Sequence, residues 1–207
     1  GDHRDLHLSL RRQRQMCIRD RTMTDQQELL ELAIEINSLL FGNFQLSSGG
    51  TSSYYFDGRI LTLNPKGSYL TAKCLLPIIL NSGATYIAGP TLGADPIVSS
   101  VATISFLQNS PVNALIVRKE QKEHGGEKMI EGSFSSGSKV AVVDDTCTSG
   151  SSLFHAIKAI ENEGGEVVKV LSILDRKSGG SKKIIDDGYD FFSLFVADDK
   201  GQITCNL

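Results

Sequence analysis

The chain has 207 residues, 40% of them hydrophobic, enough for one sizeable core and too few for a second domain of ordinary size. Asp and Glu outnumber Lys and Arg by 24 to 21, so no overall basic field argues for nucleic acid or an anionic membrane. Four widely spaced cysteines, Cys17, Cys74, Cys147 and Cys205, make neither a metal-ligand cluster nor a disulfide framework, which fits a reducing, cytoplasmic compartment. No apolar run approaches the roughly 20 residues of a membrane span, and no secretory segment stands near the start.

Residues 1–22 carry six Arg and no Lys and are expected to be a non-native leader; the alternative is a basic tail for an acidic partner. Residues 23–207 are then read as one domain, with 15 basic and 21 acidic residues and a formal charge of −6.

Thr24 or Asp25 can cap a helix whose apolar positions include Leu29, Leu32, Ile36, Leu39 and Leu40. Phe44 to Leu46 and Tyr54 to Arg59 read as short strands about the Ser47-Ser48-Gly49-Gly50 turn. Pro65 suits the first turn of a helix reaching about Asn81. Tyr86 to Ala88 is a strand that Gly89-Pro90 should end, followed by a helix from about Ala94 to Leu107 and a strand from Asn113 to Val117. Residues 118–132, charged and holding Gly125, Gly126 and Gly132, read as a long flexible loop.

Lys139 to Val143 is an apolar run stopping at Asp144-Asp145, as a buried parallel strand would. Thr146 to Gly150 is a turn, Ser151 to Glu163 a helix, and Val167 to Leu174 a second buried strand ending at Asp175-Arg176. The alternation of strand and helix predicts a doubly wound α/β domain with a parallel sheet. The Leu46 to Ile60 region would stand apart as a small antiparallel flap.

Ligands of open α/β sheets bind beyond the carboxyl ends of the strands. Asp144 and Asp145 stand at such an end, and Thr148, Ser149, Gly150, Ser151 and Ser152 lead into a helix N-terminus suited to a phosphate. The two acids would repel a phosphate, so they suit neutral hydroxyls or a divalent metal. A phosphate beside a vicinal diol, as in a ribose 5-phosphate, fits this layout. The plainer reading, that the acids and hydroxyls merely cap turn and helix, stays open. Neither a Walker A loop nor a Gly-x-Gly-x-x-Gly fingerprint is present.

Arg118, Lys119, Lys122 and His124 follow the strand ending at Val117 and could surround a group as charged as pyrophosphate. A charge run between glycines can equally be a solvated loop. Gly125-Gly126 would let the loop close over leaving-group chemistry.

The run Val140-Ala141-Val142-Val143-Asp144-Asp145-Thr146-Cys147-Thr148-Ser149-Gly150-Ser151-Ser152 resembles the phosphoribosyl-pyrophosphate (PRPP) motif of type I phosphoribosyltransferases. Arg118-Lys119-Glu120-x-Lys122-x-His124-Gly125 looks like the catalytic loop of the orotate phosphoribosyltransferases within that group. Ser48-Gly49, Ser52, Tyr54 to Asp57 and Arg59 are similar to that family's N-terminal hood, and Gly93 to Ile97 to the segment after its second core strand. The resemblance covers about residues 28–199.

It implies transfer of the 5-phosphoribosyl group from PRPP to N1 of orotate, giving orotidine 5'-monophosphate and pyrophosphate in pyrimidine synthesis. It implies a hood built mainly from residues 23–64, and magnesium held chiefly by PRPP and pyrophosphate rather than by the protein. Asp144 and Asp145 would engage the ribose hydroxyls, and Thr148 to Ser152 the 5-phosphate. Arg118, Lys122 and His124 would close over pyrophosphate, while Lys119 would reach the second active site of a homodimer. Tyr55 and Phe56 would lie against the base, or simply pack the hood, and Arg176 would hold the orotate carboxylate. Thr51 and Gly93 stand where some members of the family have Lys, which leaves room for altered affinity or another base. The rivals are a purine phosphoribosyltransferase and a PRPP-binding regulator. The second should bring a basic DNA-reading element, which the acidic body does not show.

Overall fold

The computed structural model describes residues 23–45, 50–120 and 129–206. The residues 1–22 expected to be a leader lie outside these, as do Ser48, Gly49, Lys122 and His124.

The first helix, α1 (Asp25–Glu35), begins at a capping box in which Thr24 and Gln27 satisfy each other's backbone N–H groups, and it buries Leu29, Leu32 and Ala33. A two-stranded antiparallel sheet follows, β1 (Leu39–Gln45) against β2 (Thr51–Phe56). Both strands lie earlier than the sequence suggests. Leu39 and Leu40 belong to β1 rather than to the helix, and Gly58–Thr62 forms a short helix α2 capped by Asp57. Asp57 accepts from the Arg59 N–H, a turn that diverts the chain before a longer strand could form. Helix α3 (Pro65–Asn81) starts as expected, with Asn64 capping and Pro65 in its first turn.

The main sheet has seven strands: β3 (Tyr86–Pro90), β4 (Asn113–Val117), β5 (Ile130–Glu131), β6 (Lys139–Cys147), β7 (Glu166–Asp175), β8 (Phe191–Ala197) and β9 (Ile203–Cys205). They run in the order β5-β4-β3-β6-β7-β8-β9, parallel from β4 to β8 with antiparallel edges. Three helices join them: α4 (Asp95–Leu107), α5 (Ser151–Asn162) and α6 (Gly180–Asp186).

The alternation of side chains along β6 and β7 produces two cores. Ala141, Val143, Leu171 and Ile173 face α1, α3 and α4, while Val140, Val142 and Val170 face α5 and α6. The expected doubly wound parallel sheet with a small antiparallel hood is therefore the observed architecture. From β3 the chain steps to β4 on one side, then returns to β6 and proceeds to the other. The order thus reverses between β3 and β6, where a ligand crevice belongs.

Two strands outrun their expected ends. Gly89-Pro90 does not stop β3, which pairs with β4 as far as Pro90↔Val117. Its pairing with β6 ends at Ala88↔Val142, so Pro90 lies past that ladder, where its missing donor costs no bond. A Cβ on Gly89 would run into Ala94 Cβ and the Val143 carbonyl, which explains a glycine inside a strand. Similarly, β7 carries β6 onward through Asp144↔Ser172, Thr146↔Leu174 and Cys147↔Asp175. Asp144 and Asp145 are strand residues, and the turn shrinks to Thr148–Gly150. Within the stretch read as a loop, Ile130 and Glu131 pair with Val117 and Ile116.

Candidate active site at the sheet switch point

A cavity of about 530 Å³ opens where the strand order reverses. Its walls come from the hood and α2 (Tyr55 to Arg59), the turn after β3 (Pro90 to Gly93), Lys119, the two acids of β6, and Ser151, Ser152 and His155 of α5.

Asp144 is buried. Its carboxylate accepts from the Asp145 N–H at 2.8 Å and from Ser152 Oγ at 2.5 Å. Burial pushes this carboxyl up to about 6, helped by the Asp145 charge and opposed by the Ser152 hydrogen bond. Burial raises Asp145 as well, against a hydrogen bond with Thr146 and the charge of Arg59. Two glycines admit these acids. A Cβ on Gly58 would sit 2.7 Å from Asp145 Cβ, and one on Gly93 would press on both carboxylates at 3.1 Å. Gly93 thus forms the close wall behind the acids. Thr51 stands exposed at the start of β2.

After Cys147 the chain turns through Thr148 and Ser149 to Gly150, which has φ 78°, a conformation only glycine adopts freely. The N-cap residue of α5, Gly150, offers no side-chain cap; the Ser151 N–H has only a long 3.4 Å bond to Ser149 Oγ, which leaves the helix end and its dipole open to an anion. Behind the turn, the Gly180 N–H donates to the Thr148 carbonyl at 2.9 Å. A Cβ on Gly180 would lie 2.5 Å from that oxygen and 2.6 Å from Gly150 N, so the two loops interlock.

Tyr55, Phe56, Lys119, Asp144, Asp145, Ser151 and Ser152 are brought together as cavity wall. Thr148, Ser149 and Gly150 form the adjoining turn but do not line it. Arg118 points elsewhere: its Nη1 is 2.7 Å from Glu131 Oε1. Lys119 lines the cavity of its own chain. Arg176 lies behind the hood, its guanidinium 5.5 Å from the centre of the Tyr54 ring, and does not reach the cavity wall. Its Nε is buried without a hydrogen-bond partner among the described residues. No ion pair joins it to Asp175 among the described residues; Lys177 Nζ stands 3.2 Å from Asp175 Oδ2, an oxygen that itself has no hydrogen-bond partner among them.

His155 is the site residue that sequence reasoning missed. Helical spacing carried the signal, because positions 151, 152 and 155 share a helix face.

The likenesses to known proteins agree with this geometry. Residues 75–198 match the phosphoribosyl transferase domain family. Over 152 residues the chain is 40% identical to the orotate phosphoribosyltransferase of Aquifex aeolicus, covering 73% of this chain and 83% of that one. The crystal structure of orotate phosphoribosyltransferase from Mycobacterium tuberculosis with Fe(III) dicitrate superposes with a TM-score of 0.74 at 35% identity, covering 86% of this chain and all of the other. The same enzyme in complex with PRPP gives 0.71 at 34%, with 86% and 100% covered. With the acids and the uncapped helix meeting at the switch point of such a sheet, the chain belongs to the orotate phosphoribosyltransferase family.

Proposed function

We propose that the protein transfers the 5-phosphoribosyl group of PRPP to N1 of orotate, releasing pyrophosphate, as a magnesium-dependent cytoplasmic homodimer. The observation that carries this reading is the single cavity in which the Asp144-Asp145 pair and the open end of α5 face the hood residues Tyr55 and Phe56. The M. tuberculosis relative, solved with PRPP, supports the donor.

In this reading the N–H groups at the start of α5 take the 5-phosphate, and Thr148, Ser149 and Ser151 add their hydroxyls. Asp144 and Asp145 accept from the ribose hydroxyls and tolerate the positive charge that develops on the ring as the anomeric carbon loses pyrophosphate. Orotate N1 approaches from the opposite face, with Tyr55 and Phe56 against the flat base. Lys119, with Lys122 and His124, offsets the departing charge, and Arg118 would exchange Glu131 for pyrophosphate. Such electrostatic help is typically worth several kcal/mol. Orotate N1 reacts as its anion, its proton having been lost to solvent, so neither Asp144 nor Asp145 need act as a general base.

Among the described residues no three His, Cys, Asp or Glu side chains gather to hold a metal. Magnesium still fits, because it commonly takes one or two carboxylates and fills its shell with water and phosphate oxygens. Asp144 and Asp145 are the protein groups that could bear on it. When bound with PRPP it would neutralise charge on the leaving pyrophosphate. Among the described residues no helix is long and apolar enough to cross a membrane.

The test is direct. Orotate, PRPP and magnesium should give equal amounts of orotidine 5'-monophosphate and pyrophosphate, and chelating the magnesium should stop the reaction; no product under these conditions refutes the reading. The dimer with shared sites has its own experiment. Lys119→Ala and Asp145→Ala chains, each nearly inactive alone, should on mixing regain activity at about one site in two of each heterodimer. Confirmed subunit exchange without recovery would place Lys119 in its own chain's site, the cavity it lines in the single chain.

A further inference from the structure

We infer that His155 is a positioning residue for the basic loop: it fixes the peptide group between Arg118 and Lys119, and so fixes where the Lys119 side chain enters the cavity. The inference rests on the phosphoribosyl transfer reading and adds to it a residue that neither the acid motif nor the basic loop contains.

The corner at Arg118 is held at three points. Its N–H donates to the Met129 carbonyl at 2.8 Å, which closes the two ends of the 118–129 segment on each other. Its guanidinium meets Glu131 at 2.7 Å. Its carbonyl accepts from His155 Nε2 at 2.7 Å. The first two bonds lie within the segment and its closing strand. Only the third, among these, ties the corner to another element, α5, whose first turn faces the phosphate.

A carbonyl can only accept, so Nε2 carries the proton here, in the neutral ring or the imidazolium alike. The carbonyl of Arg118 belongs to the same planar peptide as the N–H of Lys119, so fixing one fixes the other. Lys119 then stands where its charge acts on Asp144. Ser151, Ser152 and His155 share the cavity face of α5 at helical spacing. One rigid helix thus sets both the phosphate end of the site and the root of the pyrophosphate end. The separation between them is what an in-line displacement must hold constant. The ring is half-buried rather than packed in the core, so a smaller side chain is accommodated there.

The experiment compares His155→Ala and His155→Gln with the parent. Gln places an N–H donor near the ring's Nε2 and is the conservative replacement. Steady-state rates with PRPP and orotate, ribose 5-phosphate affinity by calorimetry and thermal midpoints are measured for each. His155→Ala should lower kcat by about 3- to 10-fold, the usual worth of one such bond, and Gln should restore it to within about 2-fold. Ribose 5-phosphate binding and the thermal midpoint should stay at the parent's values, because the start of α5 is untouched. PRPP affinity, also measured by calorimetry with magnesium, should fall by about 3- to 10-fold in His155→Ala, and in a Lys119→Ala background His155→Ala should have no further effect on it, since it acts through that side chain. A parent-like rate for His155→Ala, equal defects in Ala and Gln, or a matching loss of ribose 5-phosphate binding would each overturn the assignment. If the parent itself makes no product from orotate, it is the functional reading that fails; the effect of His155→Ala on PRPP affinity, and its loss in the Lys119→Ala background, still test the coupling.

Discussion

Asp144→Asn is expected to give a ligand-free protein that is harder to unfold at neutral pH and has lost most of its activity. The carboxyl is buried and raised from 3.8 to about 6, so the folded state binds a proton that the unfolded state has already released between those pH values. A raised acid opposes folding once it is ionised. The penalty is absent below about pH 4, grows as pH rises, and is complete above about pH 6. Asn keeps the shape and an acceptor for the Asp145 N–H, and carries no charge to bury. Unfolding curves without ligand should show Asn ahead by about 1 to 3 kcal/mol at pH 7.5 and level with the parent near pH 4. The same change removes a charged acceptor for the ribose hydroxyls, and charged hydrogen bonds are worth about 1.5 to 3 kcal/mol each. Loss of two such bonds predicts a fall in kcat/KM of about 100-fold or more. If Asn is less stable than the parent at pH 7.5, the burial penalty on Asp144 has been misread. An active Asn variant would remove the carboxylate from the ribose site.

Arg176→Ala should cost about 30- to 1000-fold in kcat/KM toward orotate, the equivalent of about 2 to 4 kcal/mol for a charged bond lost from a closed site. Its environment is that of a donor waiting for an acceptor. Tyr54 lies under the guanidinium, Asp175 has Lys177 as its ion-pair neighbour, and Nε is buried without a partner among the described residues. Buried donors are seldom left so, and a ligand carboxylate would answer two of them in parallel. Tyr54, which stacks on Arg176, neighbours Tyr55 on β2, and Tyr55 lines the cavity. Arg176→Lys should recover part of the loss, since an ammonium cannot make the bidentate pair. PRPP affinity, measured by calorimetry with magnesium, should remain within a few-fold of the parent. Undiminished turnover of orotate by Arg176→Ala would move base selection to the hood around Tyr55.

What could be read from the chain, and what could not, follows from how local each signal is. Val140 to Val143 before two acids, and hydroxyls before a helix, state strand, turn and phosphate site within 13 consecutive residues, and the structure brings Asp144, Asp145, Ser151 and Ser152 of them to one cavity. Strand ends were less legible, because pairing partners rather than propensity decide them. Asp144 to Cys147 are strand because β7 continues alongside, and Gly89-Pro90 because β4 does. The hood shifted for a similar reason: Asp57 caps α2, which ends β2 at Phe56. Partners far apart in sequence were hidden. Arg118 and His155 stand 37 positions apart, and nothing between them carries a pattern that would announce their hydrogen bond. Nor does any local pattern show that Gly58 and Gly93 stand against the two acids.

Base selectivity tests the whole account most directly. With PRPP and magnesium held constant, kcat/KM should be measured for orotate, uracil, adenine and hypoxanthine offered one at a time. A site that answers a carboxylate with an arginine should prefer orotate over each of the others by at least about 100-fold. Uracil, which lacks only the carboxylate, is the sharpest comparison. Comparable efficiency with uracil would contradict the role of Arg176, and preference for adenine or hypoxanthine would contradict the pyrimidine assignment itself.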